Sequence, residues 1–295
     1  MAERWSSVVA FVVVTVLAGG VGVSFAGSGA TSESSARQAS TGLIAFVGVD
    51  DRDVHVINSD GTGAKRLSAV PAAFPHWSSD GTKLVFTKYE SCDPLTCAVP
   101  YEVMNANGSG LRMLTQGPWG GVASWSPDGQ KLVLGSLVQP PLIVLDANGS
   151  GRRTLTSADG GWPAWSPDGK EIVFGGQTQL YVVAVNSTHA RTLTRTPGEK
   201  LAPDWSPDGK RIVFEGTPSP NASDIYVMNA DGTGIKRLTH SGDDGDPSWS
   251  PDGTKIVYDT QPSNYKNQIF IMNADGSHQT HLTSGYEPDW QPVPR

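Results

Sequence analysis

Four carboxylic acids stand shortly before a recurring tryptophan, and they are the side chains best suited to chemistry. They are Asp204, Asp246, Glu287 and Asp289. Two carboxyl groups at a set separation can serve as the acid and the base of glycoside hydrolysis. A group of carboxylates can instead focus a field that attracts a cationic partner. Both chemistries stay open at this point, because the separation of the groups depends on the fold.

Aromatic side chains occupy the matching places earlier in the chain. Phe74, Trp119 and Trp162 precede their own recurring tryptophan, and His76 lies beside the first of them. Exposed rings offer contact area and stacking. If all these residues meet at one mouth, it is aromatic on one side and acidic on the other, which fits a basic peptide or protein segment. A sugar would also suit the rings and a divalent cation the acids. In the structural alternative, the rings cover hydrophobic rims and the acids are solvated loop charges.

Motifs of several catalytic classes are missing from the sequence. After the N-terminal segment there is no Gly-x-Ser-x-Gly nucleophile elbow and no His-Glu-x-x-His zinc motif. His278 and His281 form the closest histidine pair, and we expect them to be exposed beside a turn. A polysaccharide lyase would use several histidines, whereas only His76 falls near the predicted mouth. We therefore predict no catalytic residue, no metal site and no cofactor.

Recurring Asn-x-Asp-Gly segments suggest calcium at first sight. Asp60, Asp231 and Asp275 recur in these segments. Their spacing does not fit an EF-hand, which needs ligands at alternate positions and a glutamate at the twelfth. A role in β-turns explains the same residues without an ion.

The two cysteines lie together in an insertion. Cys92 and Cys97 are separated by four residues. We predict a local disulfide, because export would permit its formation and the short loop would stiffen a hairpin tip. Two free thiols are the alternative.

The element that must position these residues is a repeat of about forty residues. Its tryptophans, which we assign a structural role, are Trp77, Trp125, Trp165, Trp205, Trp249 and Trp290. Most are followed by Ser-Pro-Asp-Gly and a β-branched run, which indicates a turn between two strands. An alternating segment, an Asn-x-Asp-Gly turn and a short fourth strand complete each unit. Four antiparallel strands per repeat are typical of a propeller blade.

The two ends of the repeat region are complementary. The first unit begins at Leu43 with a second strand, and residues 287–291 supply a lone tryptophan strand. Pairing them would close the ring and remove two exposed sheet edges. We therefore predict an all-β, closed six-bladed propeller over residues 42–292.

The tryptophan-containing turns resemble the WD40-like propeller repeats of the TolB C-terminal domain family. Trp-Ser-Pro-Asp-Gly occurs at Trp125, Trp165, Trp205 and Trp249, with a serine variant at Trp77, and Asn-Ala-Asp-Gly turns accompany it. The resemblance covers residues 42 to 292 and implies the propeller fold and a place in the periplasm or cell envelope. Related blades also occur in peptidases and in polysaccharide-degrading enzymes, so the fold does not select a function.

The N-terminal segment differs from the rest of the chain. Residues 1–26 are apolar and end in small residues, which predicts a secretory signal peptide, with an uncleaved membrane anchor as the alternative. Residues 27–41 are rich in Ser, Ala, Gly and Thr and predict a disordered linker. The expected location is therefore extracytoplasmic, with membrane attachment only if the first segment is retained.

The composition of the chain restricts the classes of partner that it can bind. The formal net charge of −7 argues against a nucleic-acid surface, which needs clustered basic residues. We predict a monomeric, non-enzymatic binding or scaffold protein that uses one mouth of the propeller for a protein or peptide. A carbohydrate-active hydrolase or lyase acting at the same mouth is the alternative.

Overall fold

The computed structural model describes most of the repeat region. The described residues are 42–88, 98–118, 121–136, 142–156, 160–176, 178–219, 222–262 and 266–293. The predicted signal peptide and linker, the cysteine pair Cys92 and Cys97, and Trp119 lie outside these residues. Within the described ranges no helix is long and apolar enough to cross a membrane.

Twenty-four strands form six four-stranded antiparallel sheets, which are the blades. The first three strands are β1 (Leu43–Val47), β2 (Val54–Asn58) and β3 (Lys65–Arg66). Blade 1 consists of β4 (Ala72–Trp77), β5 (Lys83–Lys88), β6 (Ala98–Asn105) and β7 (Arg112–Pro118). Blade 2 consists of β8 (Val122–Trp125), β9 (Lys131–Gly135), β10 (Leu142–Asp146) and β11 (Arg153–Thr156).

The next three blades repeat this order of strands. Blade 3 consists of β12 (Gly161–Trp165), β13 (Glu171–Gly175), β14 (Leu180–Ala184) and β15 (Ala190–Thr192). Blade 4 consists of β16 (Lys200–Trp205), β17 (Arg211–Ser219), β18 (Ala222–Asn229) and β19 (Lys236–Arg237). Blade 5 consists of β20 (Asp244–Trp249), β21 (Lys255–Thr260), β22 (Gln268–Asn273) and β23 (Thr280–Ser284).

Blade 6 closes the ring with strands from both ends of the described chain. β24 (Tyr286–Trp290) pairs antiparallel with β1, which leads on to β2 and β3. Ile44 faces Trp290 in this pairing, and the Gln291 N–H donates to the Leu43 carbonyl at 2.8 Å. The predicted all-β, closed six-bladed propeller is confirmed, including the pairing of the last strand with the first that closes it.

The six repeat tryptophans are buried between neighbouring blades. Their exposed fractions lie between 3% and 8%. Trp249, for example, packs with Val213 and Ile225 of blade 4 and with Ile256 of its own blade. Burying a side chain of this size in each interface stabilises the ring through the apolar area removed from water.

Each Ser-Pro-Asp-Gly turn is held by its serine as well as by its aspartate. The Ser206 hydroxyl donates to Asp208 Oδ1 at 2.6 Å and accepts from the Arg211 N–H at 2.9 Å. Asp208 Oδ1 also accepts from the Lys210 N–H at 3.0 Å, and Gly209 takes a φ of 70°, which a glycine adopts without strain. The motif therefore connects the innermost strand to the second strand in a fixed geometry.

Replacing the turn serine should destabilise the protein. Ser206→Ala leaves the Arg211 N–H without its acceptor at a fully buried position, so we expect a loss of about 1–3 kcal/mol in the free energy of unfolding. Urea denaturation followed by tryptophan fluorescence would measure it. Ser219→Ala, at an exposed position in β17, serves as the control and should change stability little. Equal midpoints for the two variants would contradict this role of Ser206.

Candidate functional site

The innermost strands β4, β8, β12, β16, β20 and β24 surround a central channel. Two positions of each strand line it, at one and at three residues before the repeat tryptophan. We call them the inner position and the bulge position. The inner positions hold His76, Ser124, Ala164, Asp204, Ser248 and Asp289. The bulge positions hold Phe74, Val122, Trp162, Ala202, Asp246 and Glu287.

A β-bulge occurs in five of the six innermost strands. In β4 the pairing passes from Ala73–Thr87 to His76–Val85, so one extra residue is accommodated on the inner side. The same shift occurs in β12, β16, β20 and β24. All five strands carry proline two residues before the tryptophan, whereas β8 has Ala123 there and pairs without a shift. Proline lacks the N–H that a regular ladder requires, which accounts for this difference.

The bulge turns its residue into an uncommon backbone conformation. The φ angle is 53° at Phe74, 48° at Trp162, 46° at Asp246 and 53° at Glu287. Positive φ at residues other than glycine costs on the order of 1–3 kcal/mol each and is concentrated at functional sites. The side chains that the sequence suggested for a binding surface are therefore held in the channel at an energetic cost.

The aromatic side of the channel is formed by blades 1 and 3. The Phe74 and Trp162 rings meet edge to face, with centroids 6.2 Å apart and planes at 88°. This geometry is the favourable one for aromatic pairs. The pair therefore presents a rigid apolar surface at one side of the channel.

The acidic side links neighbouring blades through hydrogen bonds to the backbone. Asp204 Oδ2 accepts from the Trp249 N–H at 2.8 Å, and Asp289 Oδ2 accepts from the Trp77 N–H at 2.7 Å. Ser248, at the same position of blade 5, accepts from the Trp290 N–H at 3.2 Å. Each of these inner-position side chains joins its blade to the next one around the ring.

A second set of carboxyl groups binds the N–H groups of bulge residues. Glu287 Oε2 accepts from the Phe74 N–H at 2.6 Å, and Asp259 Oδ2 accepts from the Glu287 N–H at 2.9 Å. Glu215 accepts from the Asp246 N–H in the same way. These bonds satisfy donors that the bulges remove from the ladder. The acids thus act in the structure of the ring as well as in the lining of the channel.

The environment of these acids favours their protonated forms. Burial raises the pKa of Asp204 to about 7, and the nearby Asp289 charge adds to the effect. Burial and the charge of Asp246 raise the pKa of Glu287 well above its ordinary value. Asp259 has a raised pKa for the same two reasons. Carboxyl groups that share a desolvated space cannot all ionise at little cost, so this side of the channel holds protons at mildly acidic pH.

His76 is the basic group that faces these acids. Its Nδ1 lies 3.5 Å from Asp289 Oδ1. Burial by itself would lower the pKa of His76, but the charges of Asp289, Asp204 and Asp246 outweigh it, so the net pKa is raised. The ring therefore carries a positive charge more readily than a solvated histidine and offsets part of the negative charge in the channel.

Seven of the eight residues predicted for the mouth line this one channel: Phe74, His76, Trp162, Asp204, Asp246, Glu287 and Asp289. They lie in the innermost strands rather than in the preceding loops, and the four acids are partly buried between neighbouring blades. Asp259 and Glu215 were not anticipated. Their sequence signal is an acid ten residues after the repeat tryptophan, where other blades have threonine or glycine.

A metal site is not formed by these groups. Among the described residues there is no set of three or more His, Cys, Asp or Glu side chains arranged to hold a metal ion. His278 and His281 belong to the exposed outer part of blade 5. Asp231 and Asp275 each accept a hydrogen bond from a backbone N–H two residues later, at 2.9 Å, as expected for a turn.

Comparison with known proteins identifies a similar family for part of the chain. Residues 163–293 match the model of the TolB beta propeller domain family. This segment, which contains blades 4 and 5 and parts of blades 3 and 6, is similar to TolB propeller repeats. The predicted resemblance is thereby confirmed. A comparison with curated proteins found no match.

Several solved structures are similar to this chain in fold. TolB from Acinetobacter baumannii is 24% identical, with a TM-score of 0.72 over 85% of this chain and 67% of that one. A putative TolB from Agrobacterium tumefaciens is 21% identical, with a TM-score of 0.64 over 84% and 91%. A chain of a nidogen/laminin complex is 11% identical, with a TM-score of 0.69 over 86% and 99%. At these identities the likeness establishes the fold alone.

Proposed function

We propose that the protein binds a segment of a partner protein or peptide at the mouth of its central channel and catalyses no reaction. The observation that carries the proposal is the division of one channel into an aromatic side and an acidic side. Phe74 and Trp162 supply the first, and Asp204, Asp246 and Glu287 supply the second. A segment with an apolar and a basic side chain complements both sides.

The size of the channel supports side chains of a partner over a free organic ligand. Its cavity has a volume of about 80 Å³. Pockets for drug-sized molecules measure about 300–1,000 Å³, so an enclosed sugar chain would not fit. One or two inserted side chains would fit, while the rest of the partner contacts the surrounding loops.

The hydrogen bonds of the acids favour binding over glycoside hydrolysis. Asp204 and Glu287 have the raised pKa values that a general acid needs, but each is bonded to a backbone N–H of the next blade. A catalytic acid has to turn its proton toward the leaving group. Groups fixed in this way are better suited to hold a bound cation than to exchange protons with a substrate.

The place of action that we propose is outside the cytoplasm. The apolar segment 1–26 and the resemblance to a periplasmic propeller family support it. The partner would then belong to the cell envelope or to the medium.

Site-specific photo-cross-linking in the producing cells tests the proposal. Benzoylphenylalanine in place of Trp162 should give a light-dependent adduct with a defined partner, because this ring faces the channel. The control carries the same group in place of Met113, which is 57% exposed on the outer strand β7. No adduct at position 162, or the same adducts at both positions, would reject the channel as the binding site.

A further inference from the structure

Four carboxyl groups come together where blades 4, 5 and 6 meet. They are those of Glu215, Asp246, Asp259 and Glu287, and we call them the carboxyl cluster. Glu215 and Asp259 both face Gly245 of β20. A Cβ atom on this glycine would lie 2.8 Å from Glu215 Oε2 and 3.5 Å from Asp259 Oδ1. Both oxygens therefore border the space that a side chain at residue 245 would fill.

One oxygen of the carboxyl cluster has no hydrogen-bond partner. Asp259 is fully buried, and its Oδ2 accepts from the Glu287 N–H. Its Oδ1 is buried as well and accepts no hydrogen bond from the described residues, while the Gln261 side chain interacts with the same carboxyl group. Leaving a buried acceptor unpaired destabilises a protein, and more so when the group is charged. The proton of a neighbouring carboxyl group can pair this oxygen while the acids are neutral, whereas a donor from outside this chain is needed once they ionise.

The carboxyl cluster also lacks a counterion. None of its four groups is in an ion pair with a lysine or arginine of the described residues. The nearby Lys200 is directed away, because its Nζ donates to the carbonyls of Thr196 at 2.8 Å and Gly198 at 2.7 Å. Only His76, across the channel, contributes positive charge to Asp246. Buried carboxylates are normally paired, so this concentration of acid calls for an external cation.

Three of the four carboxyl groups border open space, whereas Asp259 lies behind them and lines neither cavity. Asp246 and Glu287 line the central channel, whereas Glu215 and Gly245 line a wide groove of about 1080 Å³ beside blade 4. This volume is at the upper end of the range for ligand sites. A side chain of a partner could therefore enter from the groove while the adjoining part of the partner reaches Phe74 and Trp162 in the channel.

We propose that the carboxyl cluster binds the ammonium or guanidinium group of a lysine or arginine side chain from the partner segment. Such a group supplies both the positive charge and the N–H donor that Asp259 Oδ1 lacks, while Glu215 already accepts from the Ser223 side chain and the Asp246 N–H. A divalent cation is a poorer match, because the described residues offer no arrangement of three metal ligands. This inference rests on the proposed function and names the chemical group that the acidic side selects.

Small probes with matched neutral analogues test the inference on the full chain. N-acetyl-arginine amide is compared with N-acetyl-citrulline amide, and N-acetyl-lysine amide with N-acetyl-norleucine amide, by following the Gly245 amide signal in NMR titrations at pH 7.5. We expect at least one basic probe to bind about tenfold more tightly than its neutral analogue, since hydrogen bonds to charged groups contribute this much. Equal affinities, or no saturable shift with either basic probe, would overturn the inference.

Two variants test whether the basic probe binds at the carboxyl cluster. Glu215→Gln with Asp259→Asn keeps the acceptors for the backbone and removes the charge, so the preference for the basic probe should disappear. Glu171→Gln, at a partly exposed position paired with Arg191, is the control and should retain it. If the double variant does not fold, Glu215→Gln alone is used, with an expected loss of at least half of the preference. A preference that survives in a folded variant would place the cation elsewhere and refute the inference.

Two further outcomes separate the inference from the proposed function. If calcium chloride shifts the Gly245 signal at micromolar concentration and the basic probes do not, the carboxyl cluster is a metal site and the inference is wrong. If a partner is cross-linked at position 162 but no basic probe binds, the proposed function stands and the inference fails. If the basic probes bind selectively and no partner is cross-linked, the carboxyl cluster selects a cation and the proposed function fails.

Discussion

Deleting residues 287–295 is expected to abolish cooperative folding of the propeller. The deletion removes most of β24, and with it the pairing that joins Trp290 to Ile44 in the closing blade. It also removes the carboxyl groups that accept the N–H groups of Phe74 and Trp77 in blade 1. The loss exposes the edge of β1 and opens the interface that Trp290 fills, which promotes association of the chains.

Circular dichroism melting and size-exclusion chromatography would measure the effect. We expect the deleted chain to lack a cooperative transition and to elute as aggregates. A chain that ends at Val293 keeps β24 and its contacts, so it should melt like the full chain. Trp290→Ala, which empties the same interface, should lose about 3–5 kcal/mol while the strand remains. If the chain without residues 287–295 is monomeric and melts at an unchanged temperature, the pairing of β24 with β1 does not close the ring.

The thermal stability of the protein is expected to be highest at mildly acidic pH. Burial raises the pKa of Asp204 and of Glu215 to about 7 in the folded protein, against ordinary values near 4. The folded state therefore binds more protons than the unfolded state between these values. The stability from this source is fully present below pH 4 and is lost as pH rises through about 7. His76, whose pKa is also raised, acts in the same direction above its ordinary value of 6.5.

The aspartates of the turns reduce the stability of the protein at low pH. Hydrogen bonds from Ser166 and the Lys170 N–H lower the pKa of Asp168 to about 2. The pKa values of Asp128 and Asp208 are lowered by the same kind of contacts. Their contribution is present above their ordinary pKa and is lost as pH falls toward 2. The two groups of carboxyls together predict a maximum of stability at about pH 4–6.

Melting temperatures between pH 3 and pH 8.5 would test this dependence. Asp204→Asn with Glu215→Gln should reduce the decline between pH 5.5 and pH 8, because two of the titrating carboxyl groups are gone while Asp246, Asp259 and Glu287 remain. Asp168→Asn should leave that decline unchanged and alter only the acid limb. If the unmodified protein melts at the same temperature at pH 5.5 and pH 8, the acids of the channel are not desolvated as we describe.

The blades and the residues that line the channel were predictable because they stand at fixed distances from the repeat tryptophans. The Trp-Ser-Pro-Asp-Gly motif, as in residues 205–209, forms the same hairpin turn in each blade that contains it. The position of Asp246 or Glu287 in its strand follows from that hairpin. Hence the sequence sufficed for the fold and for most of the channel lining.

The relations between blades were not predictable from local pattern. Glu215 and Asp246 come together because two blades pack side by side, and no spacing within one repeat expresses that contact. The bulges depend on proline in the innermost strand, which in the sequence suggested only a stiff entry to the strand. Whether an acid is solvated or enclosed is likewise decided by the neighbouring blade, so the electrostatics of the channel emerged only from the structure.

The bulges separate the chemistry of the channel from the architecture of the ring. A bulge residue is the extra residue of its strand and does not take part in the ladder, so its side chain is free of the demands that fix the blade interior. Five blades thus carry one position of this kind each, held toward the same axis, although the Glu287 side chain also accepts the Phe74 N–H of blade 1. A propeller built this way can acquire a new specificity through substitutions at a handful of sites, while the tryptophans and turns that fold it remain untouched.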